Sequence, residues 1–144
     1  MTAISTQYFY PADNKWEMRE LPMIASVAIA AGSAVYGVQD GTYTKVTNST
    51  TNFAGILAET IAATDSDYAT SLKPKLAWVP KSPDAECYFT VGAGTFTTAD
   101  VGATCKYNDE TGLAVDTDGL QAKITQYISS SRGKCKLWVP TTAS

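Results

Sequence analysis

Residues 86–91, ECYFTV, show most directly which fold this chain adopts. Cys87, Phe89 and Val91 alternate with more polar residues, so an extended backbone would direct these three side chains to one face. An alternation with a period of two is typical of a strand that has one buried and one solvated face. We therefore predict a half-buried β-strand in this segment.

Two segments near the end of the chain alternate in the same way. In residues 120–128 (LQAKITQYI) the apolar phase is broken once, at Gln126, and Tyr127 is predicted to face away from the core. In residues 134–139 (KCKLWV) the lysines share the outer face with Trp138. The residues predicted to point inward are Leu120, Ala122, Ile124, Ile128, Cys135, Leu137 and Val139.

The middle of the chain predicts a hairpin and a further strand. In residues 34–46 (AVYGVQDGTYTKV) the turn is carried by Asp40 and Gly41, a pair that favours tight hairpin turns. Residues 53–62 (FAGILAETIA) continue as another strand. These elements are short and separated by turn residues.

Helical signals are confined to one place. Residues 97–102 (TTADVG) predict one short helical turn, capped by Thr97 or Thr98 and ended by Gly102. Because a long amphipathic repeat is missing, the sequence predicts an all-β fold with at most one short helix. The expected architecture is a small β-sandwich or barrel of short antiparallel strands.

Two pieces of the chain resemble each other. Residues 32–58 and 102–125 each begin with a Gly turn and continue through a strand, an acidic Gly turn and two further strands. The tripeptide WVP also occurs twice, at residues 78–80 and 138–140. Motifs this short arise either from gene duplication or from the pattern of turn and strand residues that β-hairpins have in common, and both explanations stay open.

The first 21 residues differ from the rest. They carry four aromatic residues without a clear period, so the sequence predicts an N-terminal arm at residues 1–21 and a single β-rich domain at residues 22–144. Either the aromatics close over the core of their own chain, or they lie in pockets of a neighbouring subunit. These residues are Tyr8, Phe9, Tyr10 and Trp16.

The composition excludes several kinds of chemistry. The chain of 144 residues lacks histidine, which removes histidine-based catalysis and histidine metal sites. Its three cysteines are an odd number without C-x-x-C spacing, so neither a disulfide framework nor a zinc site is indicated. Cys87, Cys105 and Cys135 all fall in apolar strand phases and are expected to be buried thiols in a reducing compartment.

Charge and hydropathy argue against nucleic-acid and membrane partners. The formal net charge is −3, whereas phosphate binding requires clustered lysine and arginine. Residues 22–31 (PMIASVAIAA) resemble the core of a secretion signal, but acidic residues precede them and the run is too short to cross a bilayer.

The acidic residues between positions 97 and 128 do not match the EF-hand pattern of calcium-binding loops. An EF-hand placed on Gly119 would need carboxylates at Ala114 and Thr125, so the motif fails. Glycine follows both acidic segments, which favours turn formation over metal binding. We expect neither a metal nor a cofactor, and the turn-forming acids are Asp100, Asp109, Glu110, Asp116 and Asp118.

The run AAGSAVYGVQDGTYTKVTNSTTNFAGILAE at residues 30–59, followed by LAWVP at 76–80, resembles the head-decoration (capsid cement) proteins of tailed bacteriophages, lambda-like type. The likeness covers residues 24–80. From Ala85 onward the chain has a weaker resemblance, a sequence pattern that is common in phage structural proteins. The resemblance implies a noncatalytic virion protein, made in the host cytoplasm, that binds the outside of the assembled head and bridges subunits of the major capsid protein, commonly as a homotrimer.

Under this hypothesis the partner contacts come from Tyr8, Phe9, Tyr10 and Trp16 of the arm and from Trp138. Deleting residues 2–12 would then leave a folded protein that no longer binds capsids. Two alternatives remain. A tail or fibre module would recognise a host surface through a groove with exposed aromatics. A small hydrolase would use two carboxylates from among Asp100, Asp109, Asp116 and Glu59.

Overall fold

The computed structural model describes residues 8–38, 41–48, 53–70 and 73–137. Within this part of the chain the protein is all-β, as the sequence predicts, with one 3₁₀ helix at Thr98–Asp100. The strands are β1 (Tyr10–Pro11), β2 (Trp16–Met23), β3 (Ala34–Gly37), β4 (Tyr43–Lys45), β5 (Phe53–Leu57), β6 (Lys73–Pro80), β7 (Cys87–Ala93), β8 (Thr104–Asp109), β9 (Gly112–Ala114), β10 (Ala122–Ser129) and β11 (Arg132–Lys136).

These strands form two closed barrels that follow one another along the chain. The first barrel has the order β2-β4-β3-β5-β6 and closes where β6 pairs with β2. The second barrel contains β7 to β11 in the order β7-β9-β8-β10-β11 and closes where β11 pairs with β7. The short strand β1 adds to the second barrel through β7.

The pairing is not entirely antiparallel, which corrects the expected architecture. Strand β4 runs parallel to β2, and β9 runs parallel to β7. Five strands cannot alternate in direction all the way around a ring, so one neighbouring pair in each five-stranded barrel must be parallel.

The two barrels are equivalent in strand order, direction and register. In the first, Met23 lies opposite Tyr43, and in the second Val91 lies opposite Leu113 at the same place in the ring. Farther around, Leu57 lies opposite Ala77 as Ile124 lies opposite Cys135. The remaining pairings are compatible with these equivalences, which relate every strand of the first barrel to one of the second.

Local hydrogen bonds repeat with the register. The backbone N–H of Gly32 donates to the carbonyl oxygen of Leu57 at 2.7 Å, and the N–H of Gly102 donates to that of Ile124 at 2.8 Å. Both glycines adopt a positive φ, 91° and 93°, in the left-handed region that favours glycine. The predicted likeness of residues 32–58 and 102–125 is therefore confirmed in three dimensions.

The repeated tripeptide WVP at residues 78–80 and 138–140 does not follow this equivalence. Trp78 lies opposite Ile56 in the first barrel, and Lys136 lies opposite Lys123 at the corresponding place in the second. The register thus matches Trp78 with Lys136, and Trp138 lies outside the described residues.

Each barrel has its own interior, and the outer wall of the first barrel joins the two. The interior of the first contains Leu21, Met23, Val35 and Leu57. A second cluster fills the other barrel and extends to residues on the outer wall of the first. That wall contributes Trp16, Ala34, Val46 and Ile56, with Tyr36, Phe53 and Trp78 partly buried against it. The barrels therefore share a continuous apolar contact.

Most of the predicted strand faces are confirmed. Cys87 and Phe89 are fully buried on β7, and Val91 packs against the same cluster. Cys135 and Leu137 are buried as well. The predicted hairpin is formed by β3 and β4, although Asp40 of its turn lies outside the described residues.

The predicted inward phase of residues 120–128 is wrong at both ends. Leu120 is 54% exposed and Ile128 is 46% exposed. Leu120 lies before β10 begins, and a register shift against β11 between Ile124 and Gln126 inverts the alternation in the second half of the strand. Tyr127, predicted to face away, consequently packs against the core, 5.0 Å from the ring of Phe96.

The N-terminal residues that the structure describes are paired with the rest of the chain. Strand β2 begins at Trp16 and crosses the boundary predicted at residue 21. Tyr10 and Pro11 lie opposite Tyr88 and Cys87 of β7. From Tyr8 onward the predicted arm is therefore part of the folded molecule.

Candidate binding surface

The outer face of the second barrel gathers aromatic and cationic side chains. Tyr10 lies directly opposite Tyr88, and Tyr88 lies directly opposite Lys134, so the three side chains form a row across β1, β7 and β11. Arg132 occupies the neighbouring position on β11, opposite Thr90. We call Tyr8, Tyr10, Tyr88, Arg132 and Lys134 the tyrosine–cation surface.

The ring of Tyr88 is the centre of this surface. The ammonium nitrogen of Lys134 lies 5.4 Å from the ring centroid and the guanidinium carbon of Arg132 lies 5.7 Å from it. Cations at such distances are attracted by the negative face of an aromatic ring. Both charged groups therefore lie close to the ring of a half-buried tyrosine.

Arg132 also connects the surface to the N-terminal segment. Its Nη1 donates to the hydroxyl of Thr90 at 2.8 Å and to the backbone carbonyl of Tyr8 at 3.3 Å. Burial lowers the pKa of its guanidinium, while Cys87 and Tyr88 act in the opposite direction. The ordinary pKa of an arginine guanidinium is so far above 7 that the group keeps its charge despite this lowering. Arg132 is therefore a permanent cation on this surface.

Further lysines extend the positive charge along the sheet. Lys123 of β10 lies directly opposite Lys136 of β11, an arrangement of like charges that does not favour folding. Lys136 reaches Asp84 at 3.4 Å, and the carboxylate of Glu86 accepts from the hydroxyl of Thr125. For Lys134 the described residues include no carboxylate within ion-pair distance. This face thus brings four of the eleven lysines and arginines of the chain together, with Asp84 and Glu86 beside them.

The structure separates the sequence-predicted contact residues into two groups. Tyr8 is 39% exposed and Tyr10 is half-buried, so both can offer part of their surface to a partner. Phe9 is fully buried, and Trp16 is buried with its indole N–H donating to the carbonyl of Glu86 at 2.9 Å. Phe9 and Trp16 therefore pack into the core of their own chain, which was one of the two alternatives that the sequence left open for these aromatic residues.

Three members of the surface were not singled out from the sequence. The alternation of β7 and β11 already places Tyr88 and Lys134 on outer faces, but it does not reveal which strands are neighbours. Only the pairing of β7 with both β1 and β11 brings Tyr10, Tyr88 and Lys134 into one row. Trp138, the remaining predicted contact, lies just beyond the described end of this region.

Two of the acidic residues predicted to form turns, Asp100 and Asp109, do so, whereas Asp116 binds the backbone of a distant segment and Glu110 forms an ion pair with Lys45. Asp100 and Thr97 form a reciprocal capping box on the 3₁₀ helix, which confirms the predicted cap. Asp109 accepts from the N–H of Thr111 at 2.8 Å, and Asp116 accepts from that of Thr95 at 2.8 Å. Among the described residues, histidine, cysteine, aspartate and glutamate form no group of three that could hold a metal ion.

Glu59, the fourth acid of the hydrolase alternative, likewise binds backbone, accepting from the N–H of Leu76 at 2.6 Å. The three thiols are free and buried, as predicted. Burial raises the pKa of Cys105 to about 12, with a contribution from Asp100, and burial also raises that of Cys135. A thiol held in the neutral form is a poor nucleophile.

Comparison with known proteins adds no assignment: neither protein-family models nor curated proteins match this chain. The described residues contain no helix long and apolar enough to cross a membrane. The features of this protein that bear on its function are therefore the geometry of the tyrosine–cation surface and the sequence resemblance.

Proposed function

We propose that this protein is a bacteriophage head-decoration protein that binds the outer surface of the assembled capsid and stabilises it by bridging major capsid subunits. The observation that supports the proposal is the row of Tyr10, Tyr88 and Lys134 beside Arg132. Tyrosine and arginine are the residue types that interfaces enrich, because they combine a large apolar area with directed polar groups.

The charge of this face indicates the chemistry of the partner. A positive face on an acidic protein steers and orients a negatively charged surface. The capsid patch that receives it should therefore carry carboxylates close to an apolar area that covers the tyrosine rings. Binding should weaken as salt is added, because exposed charges are screened over about 8 Å at physiological ionic strength.

The fold suits a clamp rather than a catalyst. Two closed barrels joined by a continuous apolar contact leave few open sheet edges among the described residues, and each of the four candidate catalytic acids accepts a hydrogen bond from a backbone N–H. If three copies associate, as in the family that the sequence resembles, three such surfaces engage the repeating capsid together and gain avidity.

The proposal is tested by adding the purified protein to undecorated heads and measuring bound protein by sedimentation and electron microscopy. Lys134→Glu should weaken binding about 5- to 150-fold, the effect of losing one charged interface contact of about 1–3 kcal/mol. Lys81→Glu is the matched control, because Lys81 is an exposed lysine of the loop between β6 and β7. It should bind within about threefold of the original protein.

Two results would overturn the proposal. The original protein could fail to add density to heads, and attachment to host cells instead would favour the tail or fibre alternative. Alternatively, Lys134→Glu could bind heads as well as Lys81→Glu does, which would remove the tyrosine–cation surface from the contact.

A further inference from the structure

The equivalence of the two barrels reveals a groove that is filled in one and open in the other. In the second barrel, β9 pairs with the end of β7 at Val91, and β1 occupies the same edge of β7 farther back, at Cys87 and Tyr88. Phe9, which precedes β1, packs its ring edge-on against Tyr107 with 6.2 Å between centroids. An extended segment thus completes the edge, and its aromatic ring is fully buried.

The corresponding edge of the first barrel belongs to β2. Strand β4 pairs with β2 only at Met23, the equivalent of Val91. Counting back along both strands, Glu20 corresponds to Tyr88 and Arg19 corresponds to Cys87. Among the described residues, no strand pairs with this part of β2 on the side away from β6.

The open edge has backbone groups to offer. Ala12 donates its N–H to the carbonyl of Glu86 at 2.9 Å, so alternate residues of β7, including Tyr88, direct their backbone toward β1. Their counterparts on β2 are Met18 and Glu20. Pro22 falls in the same phase, and proline within a sheet is tolerated where its missing N–H faces an unpaired edge.

A cavity adjoins this edge at the position that corresponds to the groove of the second barrel. Its volume is about 310 Å³, and it is lined by Arg19, Glu20, Leu21, Tyr43, Ala54 and Val79, together with Pro22. Leu21, Tyr43 and Val79 supply apolar walls from the interior of the first barrel. Pockets that hold ligands have volumes of about 300–1,000 Å³, so the cavity is large enough for a single side chain with room to spare.

We propose that the edge of β2 at Met18 and Glu20, with the adjoining cavity, is a strand-addition site for an extended segment of a partner protein that carries an aromatic side chain. The backbone of the segment pairs with β2 as β1 pairs with β7, and its ring enters the cavity beside Tyr43. The assignment rests on the structural repeat, because the same groove of the second barrel holds such a segment. Only the identity of the partner, the capsid protein, depends on the proposed function.

The test uses the one segment that is seen to occupy this kind of groove. A peptide of residues 7–13, QYFYPAD, is titrated into the isotopically labelled full-length protein while amide chemical shifts are recorded by NMR. Saturable shifts are expected at Arg19, Glu20 and Tyr43. The same peptide with alanine in place of phenylalanine should bind about tenfold or more weakly, because the apolar ring is lost.

Two variants at one position separate backbone pairing from side-chain effects. Glu20→Pro removes the N–H that faces the open edge and should weaken binding about tenfold, whereas Glu20→Ala keeps the N–H and should stay within about threefold. Should Glu20→Pro fail to fold, Ala54→Trp fills the cavity from β5 without altering β2, and it should abolish the shifts.

Three outcomes would overturn the proposal: an absence of saturable shifts, shifts confined to Tyr88 and Thr90 as the peptide displaces β1, or equal affinity of the Glu20→Pro and Glu20→Ala variants. These measurements use no capsids. A protein that binds the peptide at β2 but not heads would retract the proposed function alone, and a protein that binds heads but not the peptide would retract the strand-addition site alone.

Discussion

Replacing Phe9 with alanine tests whether the N-terminal segment is an integral part of the fold. Phe9 is fully buried between the barrels, its N–H donates to the carbonyl of Gly32 at 2.8 Å, and its ring packs against Tyr107. Alanine keeps the backbone bond and removes only the ring. Buried phenylalanine-to-alanine substitutions cost about 3–5 kcal/mol, a large part of the about 5–15 kcal/mol by which proteins of this kind are stable.

The assay is urea denaturation followed by tryptophan fluorescence. With a slope of about 2 kcal/mol per molar urea, Phe9→Ala should lower the unfolding midpoint by about 1.5–2.5 M. Tyr8→Ala is the matched control, because Tyr8 is 39% exposed and its interactions with Thr90 and Arg132 use its backbone carbonyl. That control should change stability by about 0.5 kcal/mol or less.

Equal midpoints for the two variants would refute the burial of Phe9 and restore a free arm. The burial of Phe9 also bears on the deletion of residues 2–12. Such a deletion removes Phe9 and the whole of β1, so it is expected to destabilise the second barrel. Loss of capsid binding by the deleted protein would then not identify a contact.

Three further predictions concern stability. Since folding raises the pKa of Cys105 from its ordinary 9.0 to about 12, stability should fall as pH rises from about 9 to about 12, and Cys105→Ala should reduce that dependence in alkaline urea titrations, with Cys135 and Tyr107 supplying the remainder. Gly102→Ala should cost about 1–2 kcal/mol, because φ is 93° although the added methyl group meets nothing within 4 Å; an unchanged urea midpoint would contradict the strain. Gly133→Ala should cost about 1–3 kcal/mol or more, since its methyl group would lie 2.6 Å from the Gln126 carbonyl oxygen and 2.8 Å from the Phe89 ring, and thermal unfolding measures the loss.

Local chemistry made much of this fold predictable. The period of two identified β7 and the inward thiols, and the threonines at 97 and 98 with Gly102 identified the short helix and its cap. These features depend on a residue and its near neighbours, which sequence displays directly. The likeness of residues 32–58 and 102–125 was also visible, because equivalent turns need similar small and acidic residues.

The candidate binding surface was predictable only in part. Tyr8 and Tyr10 stood out by composition, but the same argument selected Phe9 and Trp16, which the structure buries. Where an aromatic residue lies outside a periodic pattern, the sequence does not show whether its side chain will be buried or exposed. That outcome depends on what the folded chain brings beside it.

The sequence by itself determined the class of structure, the strand faces of regular segments, the turns, the buried thiols and the internal likeness. Only the tertiary structure decided the closure of two rings, the inversion of β10 that turns Tyr127 inward, and the row that joins Tyr10 to Tyr88 and Lys134. The physical reason is the range of the interactions. Alternation and capping act over a few residues, whereas strand pairing selects among distant partners by the total burial and hydrogen bonding of the closed barrel.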